Sequence, residues 1–119
     1  MNKKILICDD EEGIRESLKN ILGQHYNLII VETGDQLMHI LKNAPEVSVA
    51  LFDMNMPEIN ERDFLDQVKN LQPKLKIIMV AGYQSADSKI NSTDHDISGY
   101  IVKPFKSEEI LKTVKKYFK

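Results

Sequence analysis

Cysteine is almost absent: Cys8 is the one thiol in the chain, so no intrachain disulfide is possible. It sits inside an apolar run, where a buried, inert thiol is expected, and dispensing with disulfides suits a reducing cytoplasm. No apolar run approaches the roughly 20 residues of a membrane helix, so membrane insertion is not expected. Basic charge is in no excess either. Sixteen Lys and Arg against eighteen Asp and Glu leave a formal net charge of −2, and no sequence-wide positive field draws nucleic acid. The amino terminus, MNKKILICDD, has acids where a signal peptide needs a longer apolar core, so export is not expected. His25, His39 and His95 are too scattered to match a metal-ligand spacing. Repeats, linkers and low-complexity tracts are missing as well, and 119 residues are enough for one core, read as one domain over 1–119.

What is present is an alternation of short apolar runs and longer stretches of helical period. The runs Ile5–Cys8, Leu28–Val31, Val47–Phe52, Ile77–Val80 and Tyr100–Val102 are rich in Ile and Val, as buried parallel strands are. Between the first two, Ile14, Leu18, Ile21 and Leu22 share a helix face. Thr33 with Gln36 has capping-box spacing for a second helix, whose apolar side is Leu37, Ile40 and Leu41. Asn60 is placed to cap a third, with Phe64, Leu65, Val68 and Leu71 inward. Ser107 is placed to cap the last, with Ile110, Leu111, Val114, Tyr117 and Phe118 inward. Lysines from 112 to 119 fall near the negative end of that helix dipole and read as a solvated face. The stretch GYQSADSKINSTDHDISG has few apolar anchors, so the helix between strands four and five is expected to be short, frayed or absent. Strand and helix in alternation imply a parallel α/β sheet with helices on both faces.

In such sheets ligands bind beyond the carboxyl ends of the strands. Strand one ends in Asp9-Asp10, strand three in Asp53, strand four in Ala81-Gly82 and strand five in Lys103-Pro104. Any one of these aspartates alone is also a common helix cap. Together they are costly, because crowded carboxylates in a partly buried place repel one another unless a cation or a chemical step uses the charge. An all-oxygen donor set of this kind favours Mg²⁺ or Mn²⁺ over Zn²⁺. The loop after strand one is acidic and would repel a phosphate, which argues against a flavin or similar small-ligand protein.

Three stretches, ICDDEEGIRESL, LFDMNMPEIN and GYIVKPF, occur in an order and spacing that resemble the receiver domain of bacterial two-component response regulators, of the single-domain, chemotaxis type. The resemblance covers essentially the whole chain. It implies a flavodoxin-like three-layer sandwich around a doubly wound five-stranded parallel sheet of strand order 2-1-3-4-5. It also implies a signalling domain, not an enzyme, that works in the cytoplasm and accepts a phosphoryl group on Asp53 from a histidine kinase or phosphotransfer protein. Asp10 would bind Mg²⁺ directly and Asp9 largely through water, Asn55 would offer its backbone carbonyl, and Lys103 would pair with a phosphoryl oxygen. The Lys103-Pro104 peptide would be cis. A downstream protein target is implied, with no direct contact to nucleic acid.

Two positions depart from the family pattern. Ala81 stands where Thr or Ser normally bonds a phosphoryl oxygen, and Glu61 stands where Gly is usual. Tyr100, the aromatic partner of the switch, is retained. Losing one hydrogen bond to a charged group removes about 1.5–3 kcal/mol, comparable to typical allosteric coupling. Phosphorylation with weakened switching is therefore the leading expectation, and a docking module of the same fold that works without phosphorylation is the alternative.

Overall fold

Alternation along each strand decides which layer a residue enters, since successive side chains point to opposite faces. The computed structural model describes residues 4–43, 47–53, 61–82 and 98–118. Its strands are β1 (Lys4–Cys8), β2 (Asn27–Val31), β3 (Val49–Asp53), β4 (Lys76–Gly82) and β5 (Gly99–Lys103). Its helices are α1 (Glu12–Leu22), α2 (Gly34–Asn43), α3 (Glu61–Leu71) and α4 (Ser107–Lys115), followed by a 3₁₀ turn, Lys116–Phe118. All pairings are parallel and the order is β2-β1-β3-β4-β5, as the doubly wound reading requires.

Leu6, Cys8, Ala50, Phe52, Ile77, Met79 and Ala81 pack with Leu37 and Leu41 of α2 and Phe64, Leu65 and Val68 of α3. Ile5, Ile7, Val49, Leu51, Ile78, Val80 and Ile101 pack with Leu18 and Leu22 of α1 and Ile110 and Val114 of α4. Two apolar layers thus sandwich the central strands, which is why β3 is buried throughout. Phe52 and Phe64 meet edge to face at 4.6 Å between ring centroids, a favoured arrangement of aromatic quadrupoles.

Local chemistry agrees with the sequence at α2. Gln36 N–H donates to Thr33 Oγ1 at 3.2 Å, while the Gln36 side chain reaches one residue past Thr33, its Oε1 accepting from Glu32 N–H at 2.7 Å, so two amides at the helix entrance are satisfied in a variant of the capping box. Ser107 is a correction: it is the first helical residue, Lys106 holds the cap position in extended conformation, and no side chain caps the helix. The helix also ends earlier than expected. Tyr117 and Phe118 leave it in the 3₁₀ turn, where Tyr117 Oη donates to Ser98 O at 2.7 Å and Phe118 stacks on Tyr26 at 5.0 Å. A Cβ at Gly99 would lie 2.8 Å from Tyr117 Oη, so a bare backbone there is what admits the tail. Strand three starts at Val49, not Val47; Val47 is buried but precedes the ladder. Asn60, and the segment expected to be a weak helix between β4 and β5, lie outside the described residues.

Candidate functional site

The alternation that builds the α1/α4 layer runs on past the apolar residues. Asp9 follows Ile7 by two, Asp53 follows Leu51 by two and Lys103 follows Ile101 by two, so three polar side chains continue one face at the carboxyl edge of the sheet. Asp9 is 1% exposed and Asp53 2%, the two buried charged residues among those described. Lys103 closes over them. Its Nζ lies 3.7 Å from Asp9 Oδ2, 3.8 Å from Asp53 Oδ1 and 3.2 Å from Glu11 Oε1. The Lys103-Pro104 peptide is cis, as expected.

The strand-to-helix turn after β1 is built by Asp9 itself. Glu11 N–H donates to Asp9 Oδ1 at 2.8 Å, and Arg15 Nη1 donates to Asp9 O at 3.0 Å. A side-chain oxygen accepting from the amide two residues on is the local geometry that favours Asp in such turns. The cap and ligand readings of Asp9 are therefore compatible, one oxygen for each. Asp9 Oδ2 is buried and accepts no hydrogen bond among the described residues.

One ligand atom from each of Asp9, Asp10, Glu11 and Asp53 falls within 4.8 Å of the others, with Asp10 and Glu11 exposed and Asp9 and Asp53 buried. An oxygen-only cluster with an unsatisfied buried oxygen fits a hard divalent cation. The electrostatics agree. Burial pushes the Asp9 carboxyl above its usual range, and the Glu11 amide and Lys103 ammonium only partly oppose it. Burial alone would lower Lys103, but Asp9, Asp53 and Glu11 together hold its ammonium above the usual lysine range.

The raised Asp9 carboxyl makes stability depend on pH with a definite sign. A carboxyl raised in the folded state contributes stability that is fully present below its unfolded value and is lost as pH rises through the folded value. Without divalent metal, Asp9→Asn is expected to raise the melting temperature at neutral pH by about 4 °C, on the order of 1 kcal/mol. On acidification toward the ordinary carboxylate range the two proteins should converge. Thermal melts in chelator across that window check it; a gain that persists unchanged in acid would contradict it.

Asp9, Asp10, Asp53 and Lys103 are thus brought together. Ala81 is fully buried, one residue beyond Val80, the register partner of Asp53. Ala81 and Tyr100 belong to the α2/α3 layer, Tyr100 partly buried beside Met79, its partner in register. Asn55 lies outside the described residues. Glu11 is the residue that sequence reasoning passed over. The run of four acids from Asp9 to Glu12 contained it, but only the turn geometry distinguishes Glu11, on Lys103, from Glu12, the first residue of α1.

Comparison with known proteins adds the lineage. The model of the response regulator receiver domain matches residues 5–115. Sporulation initiation phosphotransferase F of Bacillus subtilis is 31% identical over 119 residues, covering 98% of this chain and 94% of that protein. The hydrogenase transcriptional regulatory protein HoxA of Cupriavidus necator is 29% identical over 112 residues, but this chain spans only 23% of its length. Among solved structures, a CheY-like response regulator receiver domain protein from Methanospirillum hungatei superposes with a TM-score of 0.85 at 32% identity, covering 98% of this chain and 93% of that one. No helix among the described residues is long and apolar enough to cross a membrane. With the family model matching nearly the whole chain and the sheet order and acidic pocket in place, this protein belongs to the response regulator receiver domain family.

Proposed function

We propose that the chain is a phosphoacceptor signalling domain, taking a phosphoryl group on Asp53 from a histidine kinase or phosphotransfer protein and passing the signal to a protein target. The observation that carries the reading is the joint placement of buried Asp9 and Asp53 with Lys103 at 3.7 and 3.8 Å. Asp9, Asp10 and Asp53 would hold Mg²⁺, with Asn55 contributing its backbone carbonyl. When bound, the ion supplies neutralisation of charge on the phosphoryl oxygens. Asp53 supplies the nucleophile: a carboxylate oxygen bonds to phosphorus as the bond to the donor's leaving group breaks, and that group departs with the electron pair. Lys103 offers a second positive charge fixed at the pocket wall. The test is intact mass after incubation with Mg²⁺ and acetyl phosphate, with a gain of one phosphoryl group expected.

The buried methyl of Ala81 supports a second reading, a docking module that works without phosphorylation, because no hydroxyl at the end of β4 reports the state of Asp53. The two readings differ in what Ala81→Thr does. If phosphorylation occurs with weakened coupling, the restored hydroxyl should enlarge the NMR shift changes of β4 and β5 on adding beryllofluoride with Mg²⁺. Equal responses in the two proteins would mean that Ala81 does not set the coupling.

A further inference from the structure

We propose that Glu11 is the exchangeable counter-ion of Lys103, holding the ammonium at the pocket mouth until a phosphoryl oxygen replaces it; this rests on the phosphoacceptor reading above. Of the three carboxylates around Lys103 Nζ among the described residues, that of Glu11 is nearest, at 3.2 Å, and makes a hydrogen bond with it. Exposure decides which carboxylate gives way. The Glu11 side chain is 62% exposed, against 2% for Asp9 and 1% for Asp53.

A buried carboxylate that leaves its cation is stranded, whereas an exposed one turns to water at little cost. The turn also lets the Glu11 side chain move alone. Its amide is tied to Asp9 Oδ1 at 2.8 Å, so the backbone can stay in place while the carboxylate swings away. An arriving anion meets a negative group at the mouth and needs the cation that this group occupies. Glu11 therefore opposes anion entry twice, by repulsion and by competition. It acts through Lys103 and is a positioning residue. Its oxygen also lies within the acidic cluster, so the test has to separate a counter-ion of Lys103 from a metal ligand.

Calorimetry on Glu11→Gln makes the separation. Beryllofluoride in saturating Mg²⁺ should bind about three- to fivefold more tightly than to the unaltered protein, the scale set by an exposed ion pair. The half-saturating concentration of acetyl phosphate should fall by a similar factor, a change in KM. Mg²⁺ alone should be weakened by less than about fivefold, since an outer charge contributes only a screened attraction. Unchanged or weaker beryllofluoride binding would overturn the proposal, as would Mg²⁺ affinity falling about fivefold or more, which makes Glu11 a ligand. Failure of the unaltered protein to bind beryllofluoride at all would instead overturn the phosphoacceptor reading, and this proposal with it.

Discussion

Asp53→Asn is expected to take up no phosphoryl group from acetyl phosphate and Mg²⁺ under conditions in which the unaltered protein gains one. Asn keeps the shape of the side chain, which is 1% exposed at the end of β3, so the fold should survive. What it loses is the anionic oxygen. An amide is a far weaker nucleophile than a carboxylate, and it carries no charge to attract a divalent cation or to pair with Lys103 at 3.8 Å. The change should be all or none on the mass scale, with far-ultraviolet circular dichroism held close to that of the unaltered protein. Residual uptake would place the phosphoryl group on another residue, Asp10 being the acid to test next because it is the exposed aspartate of the cluster.

Lys103→Met is expected to cost about 2 kcal/mol of stability in the absence of metal, lowering the melting temperature by about 8 °C for a domain of this size. Met keeps most of the stem that packs at the end of β5 and removes the ammonium. Asp9 and Asp53 are then left buried at the same edge without the ammonium that stood 3.7 and 3.8 Å from them. Removing one partner of a fully buried pair costs about 3–5 kcal/mol, and the smaller figure reflects a lysine that is 17% exposed and contacts longer than hydrogen bonds. If charge is the cause, Asp9→Asn in the Lys103→Met background should recover most of the loss. A double variant no more stable than Lys103→Met would assign the effect to packing of the lysine stem instead.

The layers of this fold are legible because burial on both faces leaves a plain mark: a short unbroken apolar run, mostly Ile, Val and Leu, then a helix with its own apolar face. Ile5 to Cys8 and Ile77 to Val80 are such runs, and the structure pairs both within the sheet. The acids at the strand tips were legible for the opposite reason. Charge directly behind a core strand is costly, so Asp9 and Asp53 stand out without any knowledge of the sheet order. Helix ends were read less well. Ser107 has the right chemistry for a cap, yet α4 begins on it, because the extended backbone of Lys106 decides where helical geometry starts. Tyr117 and Phe118 lie on the inward side that their spacing predicts, but their contacts with Ser98 and Tyr26 depend on a 3₁₀ turn that no periodicity announces. Glu11 shows the sharper limit. Glu11 and Glu12 are adjacent and identical in type, and only the hydrogen bond that closes the Asp9 turn aims the first of them at Lys103.

The function proposed for this protein depends on one cation being held by the carboxylates of two strand ends. Titrating Mg²⁺ into the metal-free protein by isothermal calorimetry tests it most directly. Saturable uptake of one ion per chain is predicted, weakened about tenfold or more by Asp10→Asn and by Asp53→Asn. No uptake up to millimolar Mg²⁺, or uptake indifferent to both substitutions, would contradict it.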